Sequence, residues 1–170
     1  MTDSASETFV AQTPALFAKV ITASDGVIAG TREDRSGAAV QTHLEAAGWT
    51  VVERRAISDG VESVRDTLIE FADGFSGLIV TTGGTGFGPR DLTPEGTREA
   101  IDREAPGLAE AMRLCNPDGL GRLSRAVAGT RDQALILNTP GSTNGAIETL
   151  SAVLDVCHHA VDLLSGGRPH

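Results

Sequence analysis

Little in this sequence points to an oxidising compartment, a membrane or a polyanionic partner. Only two cysteines occur in 170 residues, Cys115 and Cys157, and they form no C-x-x-C pair. That usage excludes a disulfide framework and a cysteine-built zinc site, and it fits a reducing compartment. Positive charge is scarce: 14 Lys and Arg stand against 23 Asp and Glu, a net charge of −9. Such a balance argues against nucleic acid or an anionic membrane surface as partner. No apolar run approaches the length of a bilayer span. The first fifteen residues lack both the cationic start and the apolar core of a signal peptide. A soluble cytoplasmic protein is therefore expected. Internal repeats and low-complexity linkers are also missing. With 40% hydrophobic residues, the chain has enough apolar surface for one domain with a full core. That domain is expected over residues 16–166, between tails at 1–15 and 167–170.

What the chain does have is a concentrated glycine turn. Gly77-Leu-Ile-Val80 has the length and branching of a buried strand, and four glycines follow between Gly83 and Gly88. Without a Cβ, glycine lets a ligand approach the backbone and permits positive φ, so that successive N–H groups can face an anion. One cation, Arg90, and one carboxylate, Asp91, come next. Thr93-Pro94-Glu95 then has the pattern of a helix start, with Thr93 as N-cap and an acid in the first turn. The turn is neither a Walker A loop nor a G-x-G-x-x-G dinucleotide loop. A tight crossover alone would explain the glycines, but not an arginine beside an aspartate.

In chain order, strands are expected at 17–22, 49–57, 77–80 and 134–137, with the charged centre of the second placing it near a sheet edge. Helices are expected from Ser36 (as N-cap) to Gly48, from Val61 to Phe71, from Thr93 to Ala105, over 108–114, and as one long helix after Ser142. Asp59 and Glu62 have the spacing of a capping box, which by itself would account for Asp59. Residues 116–132 read as a loop carrying arginines, Arg113, Arg122, Arg125 and Arg131 lying in or around it. His158 and His159 are adjacent, so on a helix they point about 100° apart and cannot share a metal. Alternating strands and helices imply a three-layer, doubly wound α/β fold with a mainly parallel sheet and helices on both faces. Ligands of such sheets gather at the carboxyl ends of the strands. Ser24-Asp25-Gly26, Ser58-Asp59, Thr82 to Asp91, and Asn138 to Ser142 should therefore share one edge. Asp59 and Asp91 should then face one pocket.

Thr82-Gly-Gly-Thr-Gly86, Arg90-Asp-Leu-Thr-Pro94, Pro140-Gly-Ser142, Ser24-Asp25 and Asp34-Arg-Ser-Gly37 together resemble the motifs of the MogA/MoaB molybdopterin-binding family. The likeness runs over about residues 17–164. It implies the same fold, a homotrimer or a hexamer, contact with other molybdenum-cofactor enzymes, and work in molybdenum cofactor assembly. MogA-type members adenylylate molybdopterin with Mg²⁺ and ATP, releasing pyrophosphate. By that resemblance Asp59 and Asp91 are the catalytic, metal-ordering acids. Gly83, Gly84, Thr85 and Gly86 are expected to grip the pterin phosphate, Ser142 to donate to a phosphate at the last helix N-terminus, and Ser24, Asp25, Arg90 and Gly141 to be further binding residues. The sequence departs from the family after Pro-Gly-Ser, where Thr143-Asn144 replaces the common Pro-Lys. Two other classes of function stay open at this point. A MoaB-type binding or delivery module would take the pterin without releasing pyrophosphate, and an assembly subunit would use its long apolar helix on a partner.

Overall fold

The computed structural model describes residues 15–167, so the expected tails fall almost wholly outside the described residues. Its centre is a six-stranded sheet in the order β2-β1-β3-β6-β5-β4. The strands are β1 (Phe17–Ala23), β2 (Thr50–Ile57), β3 (Gly77–Thr82), β4 (Arg103–Glu104), β5 (Ala128–Arg131) and β6 (Ala134–Thr139). The first four in spatial order are parallel; β5 is added antiparallel to β6, and β4 antiparallel to β5. The mixed α/β fold with a mainly parallel sheet is thus as expected, and β2 does form an edge.

Side-chain alternation divides the core into two layers. Val20, Leu78, Val80, Leu135 and Leu137 pack on one face against α2 (Arg35–Ala46), α5 (Pro106–Leu114), α6 (Thr143–Ser151) and α7 (Leu154–Leu164). Ile21, Ile79 and Ile136 pack on the other against α3 (Val61–Ala72) and α4 (Thr93–Ala100). Every residue of β3 and β6 is buried, as strands covered on both faces must be. The chain moves from β1 outward to β2, then returns to place β3 on the opposite side of β1. A crevice opens at such a reversal, outside the carboxyl ends of β1 and β3.

Several local expectations are corrected. The helix begun at Thr93 ends at Ala100, because Ile101 turns extended (φ −80°, ψ 152°) and leads into β4. The expected loop 116–132 holds a 3₁₀ turn, Leu120–Leu123, and then β5. β5 reads Ala-Gly-Thr-Arg, without branched alternation. It is a strand because a tight hairpin, with Asp132 at φ 49°, lays it against β6. The long final helix is interrupted at Val153, whose φ of −132° breaks the coil and drops its side chain into the core. On α7, Val156 and Leu163 are exposed. Among the described residues no helix is long and apolar enough to cross a membrane.

Candidate functional site

The crevice holds a cavity of about 1090 Å³. That is at the upper end of small-molecule clefts, roughly 300–1,000 Å³, and leaves room for two ligands. Ser24, Asp59, Thr82 to Gly86, Asp91, Gly141 and Ser142 all line it. Asp25 and Arg90 do not; they form the clasp behind it.

The glycine turn is built by two successive positive φ values, 98° at Gly83 and 65° at Gly84. A methyl at Gly83 would be driven into the Ala23 carbonyl, and one at Gly84 into the Thr93 hydroxyl. The Gly83 N–H is engaged by Thr139 O at 3.1 Å, so this residue shapes the turn rather than offering its amide. The N–H groups of Gly84, Thr85 and Gly86 have no hydrogen bond among the described residues. Together they form an anion nest of three amides. Thr93 is the first residue of α4 rather than its cap. Leu92 takes the cap position without a side-chain bond, and the buried Thr93 hydroxyl has no hydrogen-bond partner among the described residues.

The two acids bracket this nest. A Cβ on Gly84 would come within 3.3 Å of Asp59 Oδ1, and one on Gly86 within 2.8 Å of Asp91 Oδ2. In each carboxylate one oxygen is anchored: Asp59 Oδ2 accepts from Asp25 N at 2.8 Å, and Asp91 Oδ2 accepts from Gly88 N at 2.8 Å. The other oxygen of each accepts no hydrogen bond among the described residues. The capping box expected for Asp59 is not formed; Gly60 caps α3 with no side-chain bond. Its carboxylate is instead directed across to the β1 loop.

Asp25 and Asp59 hold each other's backbone, since Asp59 N also donates to Asp25 Oδ1 at 3.0 Å. Arg90 closes the clasp. Its guanidinium donates to both Asp25 oxygens (3.0 and 3.2 Å) and to Asp59 O at 2.6 Å. The hydrogen bond from Arg90 holds the Asp25 carboxyl below the usual aspartate range, outweighing the effect of burial in the other direction. Ser24 belongs to the same loop, where Ser24 Oγ accepts from Val27 N and Ser24 N donates to Ile57 O. Asp34, not Ser36, caps α2; its Oδ1 accepts from Gly37 N and from Thr22 Oγ1, both at 2.9 Å.

Arg125 is the brace that sequence reasoning missed. Its Nε donates to Gly86 O at 2.8 Å, its Nη2 to Asp91 O, and its Nη1 to the Glu95 carboxylate. Its own N–H donates to Thr85 O at 3.0 Å. One side chain therefore ties both ends of the turn to α4. Burial pushes the Glu95 carboxyl up, but the bonds from Arg125 prevail and hold it below the usual glutamate range. Arg113, Arg122 and Arg131 likewise donate to main-chain carbonyls, those of Ala126, Gly119 and Ala100 respectively. They are structural rather than phosphate ligands. Nothing in the composition of 116–132 separates Arg125 from these three; only the fold does.

The turn after β6 is different. Gly141 and Ser142 are exposed, and Ser142 caps α6 without a side-chain bond to it. Cys115 also lines the cavity. Burial, with a smaller effect of Glu148, pushes its thiol up.

Comparison with known proteins places the fold in a family. A family model described as a probable molybdopterin binding domain matches residues 19–159. The chain belongs to that family. A Helicobacter pylori member named molybdopterin adenylyltransferase is 36% identical over 154 residues, 86% of each chain. Its Escherichia coli K12 counterpart is 39% identical over 143 residues, 80% of this chain and 72% of the relative. Among solved structures, the molybdopterin biosynthesis enzyme MoaB of Thermus thermophilus superposes with a TM-score of 0.84 and 43% identity. The match covers 89% of this chain and 97% of that one. Membership of the molybdopterin-binding domain family accounts for the mixed α/β fold.

Among the described residues, no group of three or more His, Cys, Asp and Glu could hold a metal on its own. Mg²⁺ does not require one, because it is commonly bound by one or two carboxylates together with substrate phosphates. Asp59 and Asp91, carboxylates beside the amide nest that each keep one oxygen uncommitted among the described residues, fit that ion.

Proposed function

We propose that this protein is a molybdopterin adenylyltransferase, joining the terminal phosphate of molybdopterin to the adenylyl group of ATP with release of pyrophosphate. The observation that carries this reading is the bracketing of three unpaired main-chain amides by two half-committed carboxylates in a single cavity. Both substrates are anions, and the attacking phosphate oxygen is already ionised at neutral pH, so no general base is required. Catalysis is then mainly alignment and charge neutralisation. Gly84, Thr85 and Gly86 hold a phosphate at the nest. Ser142 and the first N–H groups of α6 offer a second seat, suited to the other anion. Mg²⁺, when bound, would supply charge neutralisation and alignment at the transferring phosphoryl group. Asp59 and Asp91 would hold it through their uncommitted oxygens. The clasp of Asp25 and Arg90 keeps Asp59 aimed, without touching substrate. A homotrimer acting in the cytoplasm completes this reading, and sedimentation of the purified protein would check the assembly.

The direct test is mass spectrometry of pterin products after incubation with molybdopterin, Mg²⁺ and ATP. Adenylylated molybdopterin and pyrophosphate should appear together, and Asp91→Ala should lower the rate on the order of a hundredfold or more. Tight molybdopterin binding with no product under any divalent metal would refute the enzyme and leave a delivery protein.

A further inference from the structure

Among the described residues two cations line the cavity, Arg32 and Arg35. They are not equivalent. Arg35 Nε donates to Glu33 Oε2 at 3.1 Å, whereas the Arg32 guanidinium has no ion pair or hydrogen bond among the described residues. Four acids share the wall: Glu33, Asp59, Asp91 and Glu148. An uncommitted guanidinium is thus unusual here, in a chain of net charge −9. Its position is fixed from the main chain. The N–H groups of Thr31 and Arg32 both donate to Gly26 O at 3.0 Å, and the Arg32 side chain lies back over Gly26. A methyl on Gly26 would meet Arg32 Cβ at 3.4 Å and Nε at 3.8 Å. The preceding residue, Asp25, is the one whose N–H holds Asp59 Oδ2. The uncommitted guanidinium is therefore mounted on the same loop that aims the Asp59 carboxylate.

We propose that Arg32 binds the β- and γ-phosphates of the nucleoside triphosphate and takes up the charge of the departing pyrophosphate; this rests on the adenylyl-transfer reading. In that transfer a bond forms between the pterin's terminal phosphate oxygen and the α-phosphorus. The bond from the α-phosphorus to the α–β bridging oxygen breaks, and its electron pair leaves with pyrophosphate. Negative charge grows on the leaving group as the bond lengthens. The amide nest and the start of α6 serve the two reacting phosphates, which leaves the distal pair in need of a cation. A planar guanidinium, always charged and able to donate two parallel hydrogen bonds, suits that role.

Calorimetric titration of inorganic pyrophosphate in the presence of Mg²⁺ tests the assignment without needing turnover. Wild type should bind it. Arg32→Ala should weaken binding roughly tenfold or more, Arg32→Lys should recover only part, and Arg35→Ala should have a smaller effect. Because Arg32 is exposed, thermal unfolding of Arg32→Ala should match wild type, which separates this effect from misfolding. Equal pyrophosphate affinity in wild type and Arg32→Ala overturns the assignment, as does a loss in Arg35→Ala as large as that in Arg32→Ala. Adenylylated product from wild type with Arg32-independent pyrophosphate binding sinks this subsite and spares the proposed function. Arg32-dependent pyrophosphate binding with no product sinks the adenylyl transfer and spares the anion subsite.

Discussion

The two small-residue turns that meet in the cavity are built on opposite principles. The turn after β3 is braced from every side: by Arg125 on Gly86 and Asp91, by Thr93 N on Gly84 O, and by Arg90 reaching back to Asp25 and Asp59. The turn after β6 is held at its root, where Thr82 Oγ1 donates to Pro140 O at 2.8 Å, while its tip stays exposed and its cap side chain uncommitted. A site that must align two anions needs one fixed reference and can let the other seat adjust. Pre-organisation is concentrated where the carboxylates are.

The same substitution should separate the turns most sharply. Gly83→Ala demands positive φ from a residue with a Cβ and pushes that Cβ against main chain. We expect a loss of about 2–4 kcal/mol from these two effects together. In Gly141→Ala the nearest atom is Gly83 Cα at 3.3 Å, and the loss should stay within about 1 kcal/mol. Urea unfolding of the two variants measures the difference, and equal losses would erase the contrast.

Next in size is Arg125→Ala. It leaves the part-buried Glu95 unpaired, costing about 1–3 kcal/mol, and frees the turn. A displacement of the order of 1 Å at the acids would lower kcat up to roughly a hundredfold. Arg125→Lys, without the planar fork, should rescue stability better than kcat. Ser142→Ala, by contrast, should leave unfolding unchanged and raise a substrate KM roughly ten- to a hundredfold, because a hydrogen bond to a charged phosphate is worth about 1.5–3 kcal/mol.

The smallest effect concerns pH. Asp25 has its carboxyl depressed in the folded protein, so the clasp is fully present above the ordinary aspartate value of about 3.9. It is lost only as pH falls through the lower folded value. An NMR titration should find Asp25 below that ordinary value, and Arg90→Ala should return it upward. Activity near neutral pH should show no inflection from this group.

Much of the fold was legible because its signals were local. The apolar runs at 77–80 and 134–137 are buried on both faces, and their length and branching already said so. The meeting of Asp59, Asp91, Gly84 and Ser142 followed from one rule about strand ends. What escaped was non-local. β5 is a strand only because β6 and a hairpin make it one. Val153 interrupts a periodic helix with no glycine or proline to mark the break. Asp59 had the spacing for a capping box, yet a partner 34 residues earlier, Asp25, claims its carboxylate. Arg125 and Arg122 look alike in sequence. One reaches the glycine turn and the other closes its own loop.

The hydrogen bond from Gly83 N to Thr139 O, with Gly141 resting on Gly83, joins the two turns mechanically. An occupant that draws the Pro140–Ser142 tip toward itself pulls on the peptide that sets the direction of Gly84. The two seats therefore share one hydrogen-bonded junction. Their affinities are expected to depend on one another, each arrival altering the welcome given to the other by the same factor in both directions.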